Sequence, residues 1–224
     1  MNRAKYINRA KPLLSFFLLL AVLLLSSCLG MKTDIVLNSN GSGTVTLEYL
    51  VSKSLDALGK LDGNERWNTI PVGKADFERT LDRLPDMKLI SFSAKEDEKN
   101  WMVSAKIEFK TIKALLAFFD ASNMRSSFSG DANSGNLVLT LSEGMDTTDP
   151  YLKQLLANIC ESYSMSMSVT FPKEGSLQMT DAQGKPLSAI PEGKVISKGK
   201  KVSFTFPVYD ILTSQEGINA GLKW

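Results

Sequence analysis

The sequence has no histidine and only two cysteines. Without imidazole there is no Ser–His or Cys–His nucleophile pair and no His-ligated zinc or iron. Scarce cysteine leaves stability to packing. Beyond residue 30 no apolar run approaches the ~20 residues that a spanning helix needs. Excess charge is missing too: 26 Lys+Arg stand against 24 Asp+Glu. Four of the basic residues, Arg3, Lys5, Arg9 and Lys11, lie in residues 1–27, which hold no acid, so 22 basic residues face 24 acidic ones beyond that segment. A nearly neutral body argues against nucleic acid, which needs a concentrated basic surface. The 197 residues left after position 27 suffice for one large domain or two small lobes.

What is present begins with an export signal. A basic start leads into an apolar stretch at 13–25, broken only by Ser15, and then into the small residues Ser26 and Ser27. Leu25-Ser26-Ser27-Cys28 resembles the lipobox of bacterial lipoproteins. The resemblance implies a diacylglycerol on the Cys28 sulfur, cleavage before Cys28 by a peptidase that recognises Leu25, Ser26 and Ser27, and acylation of the new amino group. Each buried methylene contributes ~0.8 kcal/mol, so two or three chains hold stably where one holds marginally. No other cofactor and no metal is expected. By analogy with the enteric sorting rule, Leu29 in place of aspartate implies the outer membrane; the broader expectation is a lipid-anchored protein outside the cytoplasm, on the cell membrane or outer membrane. No disulfide is expected, and Cys160, within the pattern Leu155, Leu156 and Ile159, reads as a buried small hydrophobe.

Residues 28–31 form a short tether and 32–224 an α+β globular body, with a possible division into two lobes near 122–135. Thr33, Ile35 and Leu37, the turn at 38–43, and Val45, Leu47, Tyr49 and Val51 predict a hairpin with one buried face. A short helix is predicted over 53–60, followed by a loop with Trp67 and Pro71. Phe77, Leu81 and Leu84 predict an amphipathic helix over 74–84, stopped by Pro85. A second hairpin follows at 89–94 and 101–109, then a helix capped by Thr111. A strand is predicted at 137–141, and a helix opening at Asp149-Pro150. Tyr163, Met165, Met167, Val169 and Phe171 alternate with small polar residues in the clearest strand of the chain. Strands at 177–180, 194–197 and 202–206 and a closing helix at 207–214 complete the pattern. The fold class is α+β: an antiparallel sheet of hairpins with three to five interspersed helices on one side. With so short a tether, the body begins within about 15 Å of the membrane surface.

Several motifs carry a sharp reading and a bland one. Met165 and Met167 on one strand face read as core filling before copper(I) ligands. Ser197-x-x-Lys200 matches the spacing of serine–lysine acyl enzymes but falls in a hairpin turn without their other motifs. Lys194, Lys198, Lys200 and Lys201 form the densest basic cluster. They either contact anionic headgroups, at ~1 kcal/mol per charge, or guard a sheet edge, and the second reading is favoured. The acids at 96–98 read as a solvated turn. Asp146 and Asp149 lack the ligand spacing of a calcium loop. Trp224 would suit the last strand of an outer-membrane barrel, but residues 219–223 lack the alternation of one.

The segment from Cys28 to Asn38, with Gly41-Ser-Gly-Thr-Val closing the turn, is similar to the start of LppM-like envelope lipoproteins. That resemblance implies a non-enzymatic envelope protein with a capacity for lipid binding. Some of those relatives carry a carboxy-terminal span, and this sequence ends in polar residues. The expected function is a membrane-proximal module that binds envelope lipid or a protein partner; the alternative is a surface or periplasmic scaffold or adhesin without a small-molecule ligand. A cavity above roughly 300 Å³ favours lipid, a closed core favours the scaffold, and convergent acids or a buried lysine would favour an enzyme.

Overall fold

The computed structural model describes residues 30–53, 72–120, 126–144, 149–160, 163–187 and 193–224. The export signal with Leu25, Ser26 and Ser27, the Cys28 lipid site, the helix predicted over 53–60 (apart from Lys53), Trp67, Pro71 and Asp146 lie outside them.

Eleven strands and four helices form among the described residues. The strands are β1 (Met31–Leu37), β2 (Gly43–Ser52), β3 (Met87–Glu96), β4 (Asn100–Phe109), β5 (Ser127–Gly130), β6 (Gly135–Ser142), β7 (Ser164–Thr170), β8 (Ser176–Thr180), β9 (Lys194–Lys198), β10 (Lys201–Pro207) and β11 (Ile218–Lys223). The helices are α1 (Lys74–Leu81), α2 (Ile112–Phe119), α3 (Pro150–Cys160) and α4 (Val208–Thr213). The mixed α+β class and the helix count agree with the expectation. The single antiparallel sheet does not. There are two sheets: seven strands in the order β3-β4-β2-β1-β7-β10-β9, and four in the order β5-β6-β11-β8. The larger is mixed, because β1 pairs parallel with β7 from Met31↔Met165 to Val36↔Thr170. Alternation reports which face a residue takes and is silent about which strand lies alongside.

Local chemistry accounts for the element ends. Thr111 Oγ1 accepts from Ala114 N at 3.1 Å, the expected cap of α2. Asp149 Oδ1 accepts from Tyr151 N at 2.8 Å at the start of α3, and Asp76 reaches back to Gly73 N at 3.1 Å at the start of α1. The tight turn before β10 uses Gly199 at φ +57°, a conformation that glycine adopts without steric cost.

The inner face of the large sheet is the core, with Ile35, Val45, Ile107, Phe109, Val202 and Phe206 essentially without solvent contact. Helix α1 packs on this face through Phe77, whose ring lies 5.5 Å from that of Phe92. Ile112 and Leu115 of α2 and Ile211 of α4 enter the same core. So do Leu137, Leu139, Met179, Ala220, Leu222 and Trp224 from the small sheet. Met167 is buried there and Met165 packs against it.

Cys160 is buried, as expected, but it is disulfide-bonded, against expectation. Pairing of β1 with β7 sets Gly30 against the Tyr163 ring, three residues past Cys160; a Cβ on Gly30 would lie 3.8 Å from Tyr163 Cδ1. That proximity was hidden in the linear sequence.

Candidate binding groove

Along the strands of the large sheet, every second side chain faces away from the core. Ladder register brings these residues into rows. Ser93, Ser104, Glu48, Lys32, Ser166, Thr205 and Lys194 form one row across all seven strands. This outer face is hydroxyl-rich because the alternation that gives β7 its buried Met167 and Val169 also turns Ser164, Ser166 and Ser168 outward.

A groove of about 560 Å³ occupies this face at the end where β1 begins. Its lining comes from Gly30–Lys32, Glu48–Leu50, Ser93, Lys95, Met102–Ser104, Ser164 and Ser166. Short serines make the floor, while Leu50 and Met102, 37% and 40% exposed, provide apolar surface. The opening clears the roughly 300 Å³ expected of a small-molecule site. It is an open groove on the outer face of the sheet.

Charge in the floor is largely compensated. Lys32 Nζ lies 3.0 Å from Glu48 Oε2 and 3.4 Å from Asp34 Oδ2. The hydrogen bond to Glu48, followed by the charge of Asp34, raises the Lys32 pKa and so favours its ammonium form. Asp34 also accepts from Ser168 Oγ. At the groove's end, Lys53 pairs with Glu96 at 2.6 Å and stands 5.9 Å from the Trp101 ring centroid. Burial, with the Asp76 charge second, pushes the Tyr49 phenol well above its ordinary value, so it stays neutral. Lys95 has no ion pair among the described residues and is the uncompensated cation at the rim.

The structure separates the four lysines singled out in the sequence. All are exposed. Lys194 lies opposite Thr205, in the same row as Lys32 at the groove end. Lys201 pairs with Thr170, which pairs with Val36, so Lys198, Lys200 and Lys201 lie at the other end of the sheet. Sequence reading missed the groove entirely. Its residues come from five strands whose order only the long-range pairing reveals.

The two buried carboxylates have local duties. Asp181 Oδ1 accepts from Gln183 N and Lys185 N at 2.9 and 2.8 Å, and Asp120 Oδ2 from Ser126 N at 2.8 Å. Among the described residues no three His, Cys, Asp or Glu side chains converge as metal ligands, and no helix is long and apolar enough to cross a membrane.

No protein-family model and no curated protein matches the chain. Among solved structures, the NMR structure of the folded domain of LppM from Mycobacterium tuberculosis is similar at 12% identity and a TM-score of 0.39, over 88% of each chain. A likeness at that level does not establish a shared fold.

Proposed function

We propose that this chain is a non-enzymatic envelope lipoprotein whose Cys28 carries lipid in the membrane-bound form, in place of a disulfide to Cys160, and that it engages an amphiphile of the adjoining membrane in its outer-face groove. One observation carries the reading: the groove opens at Gly30, two residues past the cysteine of the lipobox-like segment. Strand β1 begins at Met31, so the link from Cys28 to the sheet is at most about 10 Å long. Leu50 and Met102 would meet acyl chain, the serines a hydroxylated headgroup, and Lys95 an anionic one.

Magnitude decides where such binding happens. Covering what remains exposed of two apolar side chains contributes no more than about 3 kcal/mol, well short of the ~8 kcal/mol of a micromolar ligand. The groove alone is weak. Tethering beside the bilayer supplies the effective concentration that makes weak contacts count.

The test is therefore made in cells. A photoreactive residue in place of Met102 is expected to crosslink to lipid, whereas one in place of Val36, exposed on the same face at the far end, is not. Cys28→Ala should abolish the Met102 adducts and the incorporation of labelled palmitate. Equal crosslinking from both positions would overturn the groove. A chain that carries no palmitate and migrates as a cystine form would overturn the anchor. Lipidation without any Met102 adduct would leave the scaffold reading.

A further inference from the structure

The two edges of the large sheet are built differently. Edge β3 carries a bulge between Leu89 and Ser91. A bulge is a device that keeps an edge from pairing with another chain. Edge β9 has none: its ladder with β10 runs unbroken from Lys201↔Lys198 to Thr205↔Lys194. All five residues are exposed, with Val195 and Ile196 each at 44%. Among the described residues no strand pairs with its outer side. A regular, solvent-facing row of backbone donors and acceptors is a template for one more strand.

Charge selects the occupant. Lys194, Ile196 and Lys198 share one face, and neither lysine has an ion pair among the described residues. A second copy is a poor fit: antiparallel pairing centred on Ile196 sets Lys194 opposite Lys198 twice, and parallel pairing sets each lysine opposite itself. Like charges placed so are destabilising. An acid–x–apolar–x–acid strand meets Lys194 and Lys198 with opposite charge and Ile196 with an apolar side chain, since residues two apart share a face. A membrane is a poorer fit, because Lys198, Lys200 and Lys201 lie at the end of the sheet away from Met31. We infer that β9 is a docking edge for an acidic, extended polypeptide segment that adds an eighth strand to the large sheet, main-chain bonds providing attachment and the two lysines the choice of partner.

The experiment uses the full chain and the peptide Thr-Glu-Thr-Val-Thr-Glu-Thr, capped at both ends. Binding by fluorescence anisotropy and slowed amide exchange across residues 194–198 are the expected results. Three comparisons make the claim refutable. A lysine-for-glutamate version of the peptide should bind at least about tenfold more weakly, and the K194E/K198E variant should reverse that preference. A version N-methylated on the edge facing β9 keeps its charge and loses its donors, so it should not bind. Equal binding of the methylated peptide would reduce the effect to charge attraction and overturn the docking edge. So would absence of exchange protection with the acidic peptide. Protection of 194–198 by phosphatidylglycerol vesicles and not by the peptide would assign the hairpin to a lipid surface instead.

Discussion

At the scale of single residues, Thr33 is the clearest case of a side chain at odds with its surroundings. It is fully buried on the inner face of β1, opposite Leu47 and Met167, and its Oγ1 has no hydrogen-bond partner among the described residues. A buried hydroxyl left in that state costs about 1–3 kcal/mol. Valine keeps the branched shape and replaces the hydroxyl with a methyl. T33V is expected to stabilise the protein by about 1 kcal/mol, read as a higher urea midpoint at an unchanged slope; a lower midpoint would show that the hydroxyl is bonded. Gly135 makes the opposite case. A Cβ there would sit 2.3 Å from the Trp224 ring, so G135A forces the indole or the strand to move. Overpacking of that kind costs about 1–3 kcal/mol, and the same urea titration measures it.

At the scale of elements, what could be read from sequence is what is encoded locally. The β1–β2 hairpin, the caps of α2 and α3 and the strand around Met167 follow from period-two alternation, turn residues and cap residues within a few positions of each other. Helix α1 ends at Leu81, earlier than the predicted 84, because the chain turns before Pro85 to enter β3. Two strands escaped notice. The four residues of β5, Ser-Phe-Ser-Gly, offer one apolar side chain and so no pattern. In β11 the buried positions are Ile218, Ala220 and Leu222, and with small Ala220 and Gly221 at its centre the alternation does not show in hydropathy. The acids at 96–98 predict a solvated turn between β3 and β4, and one of them has a defined task. Asp97 Oδ1 accepts from Lys99 N at 2.7 Å and Asn100 N at 2.6 Å, and these backbone bonds hold its carboxyl below the usual range. A depressed folded-state pKa stabilises above the unfolded value and loses that contribution as pH falls through the folded one. Asp97→Ala is thus expected to lower the urea midpoint at neutral pH and to match wild type once Asp97 is protonated. A gap that persists at the acid end would put the effect elsewhere.

At the scale of the molecule, the question is whether the two sheets fold as one body. From β5 onward the chain passes back and forth between the two sheets, β7, β9 and β10 going to the large one and β5, β6, β8 and β11 to the small one. Trp224 sits where they meet. Its ring stacks 5.1 Å from Phe171, which directly follows β7, and 5.9 Å from Phe128 of β5, and its Nε1 donates to Ala132 O at 3.0 Å. The backbone of Trp224 exchanges hydrogen bonds with Gly135 at 3.1 Å in both directions. Removing a buried aromatic of this size costs about 3–5 kcal/mol, a large share of the 5–15 kcal/mol that holds a typical domain. If the shared core couples the sheets, Trp224→Ala speeds amide exchange at Val45 in the large sheet and at Leu139 in the small one by the same factor. Were Leu139 to open while Val45 kept its wild-type protection, the sheets would be separate cooperative units, and the division into two lobes raised by the sequence would hold in energetic terms despite the interleaved chain.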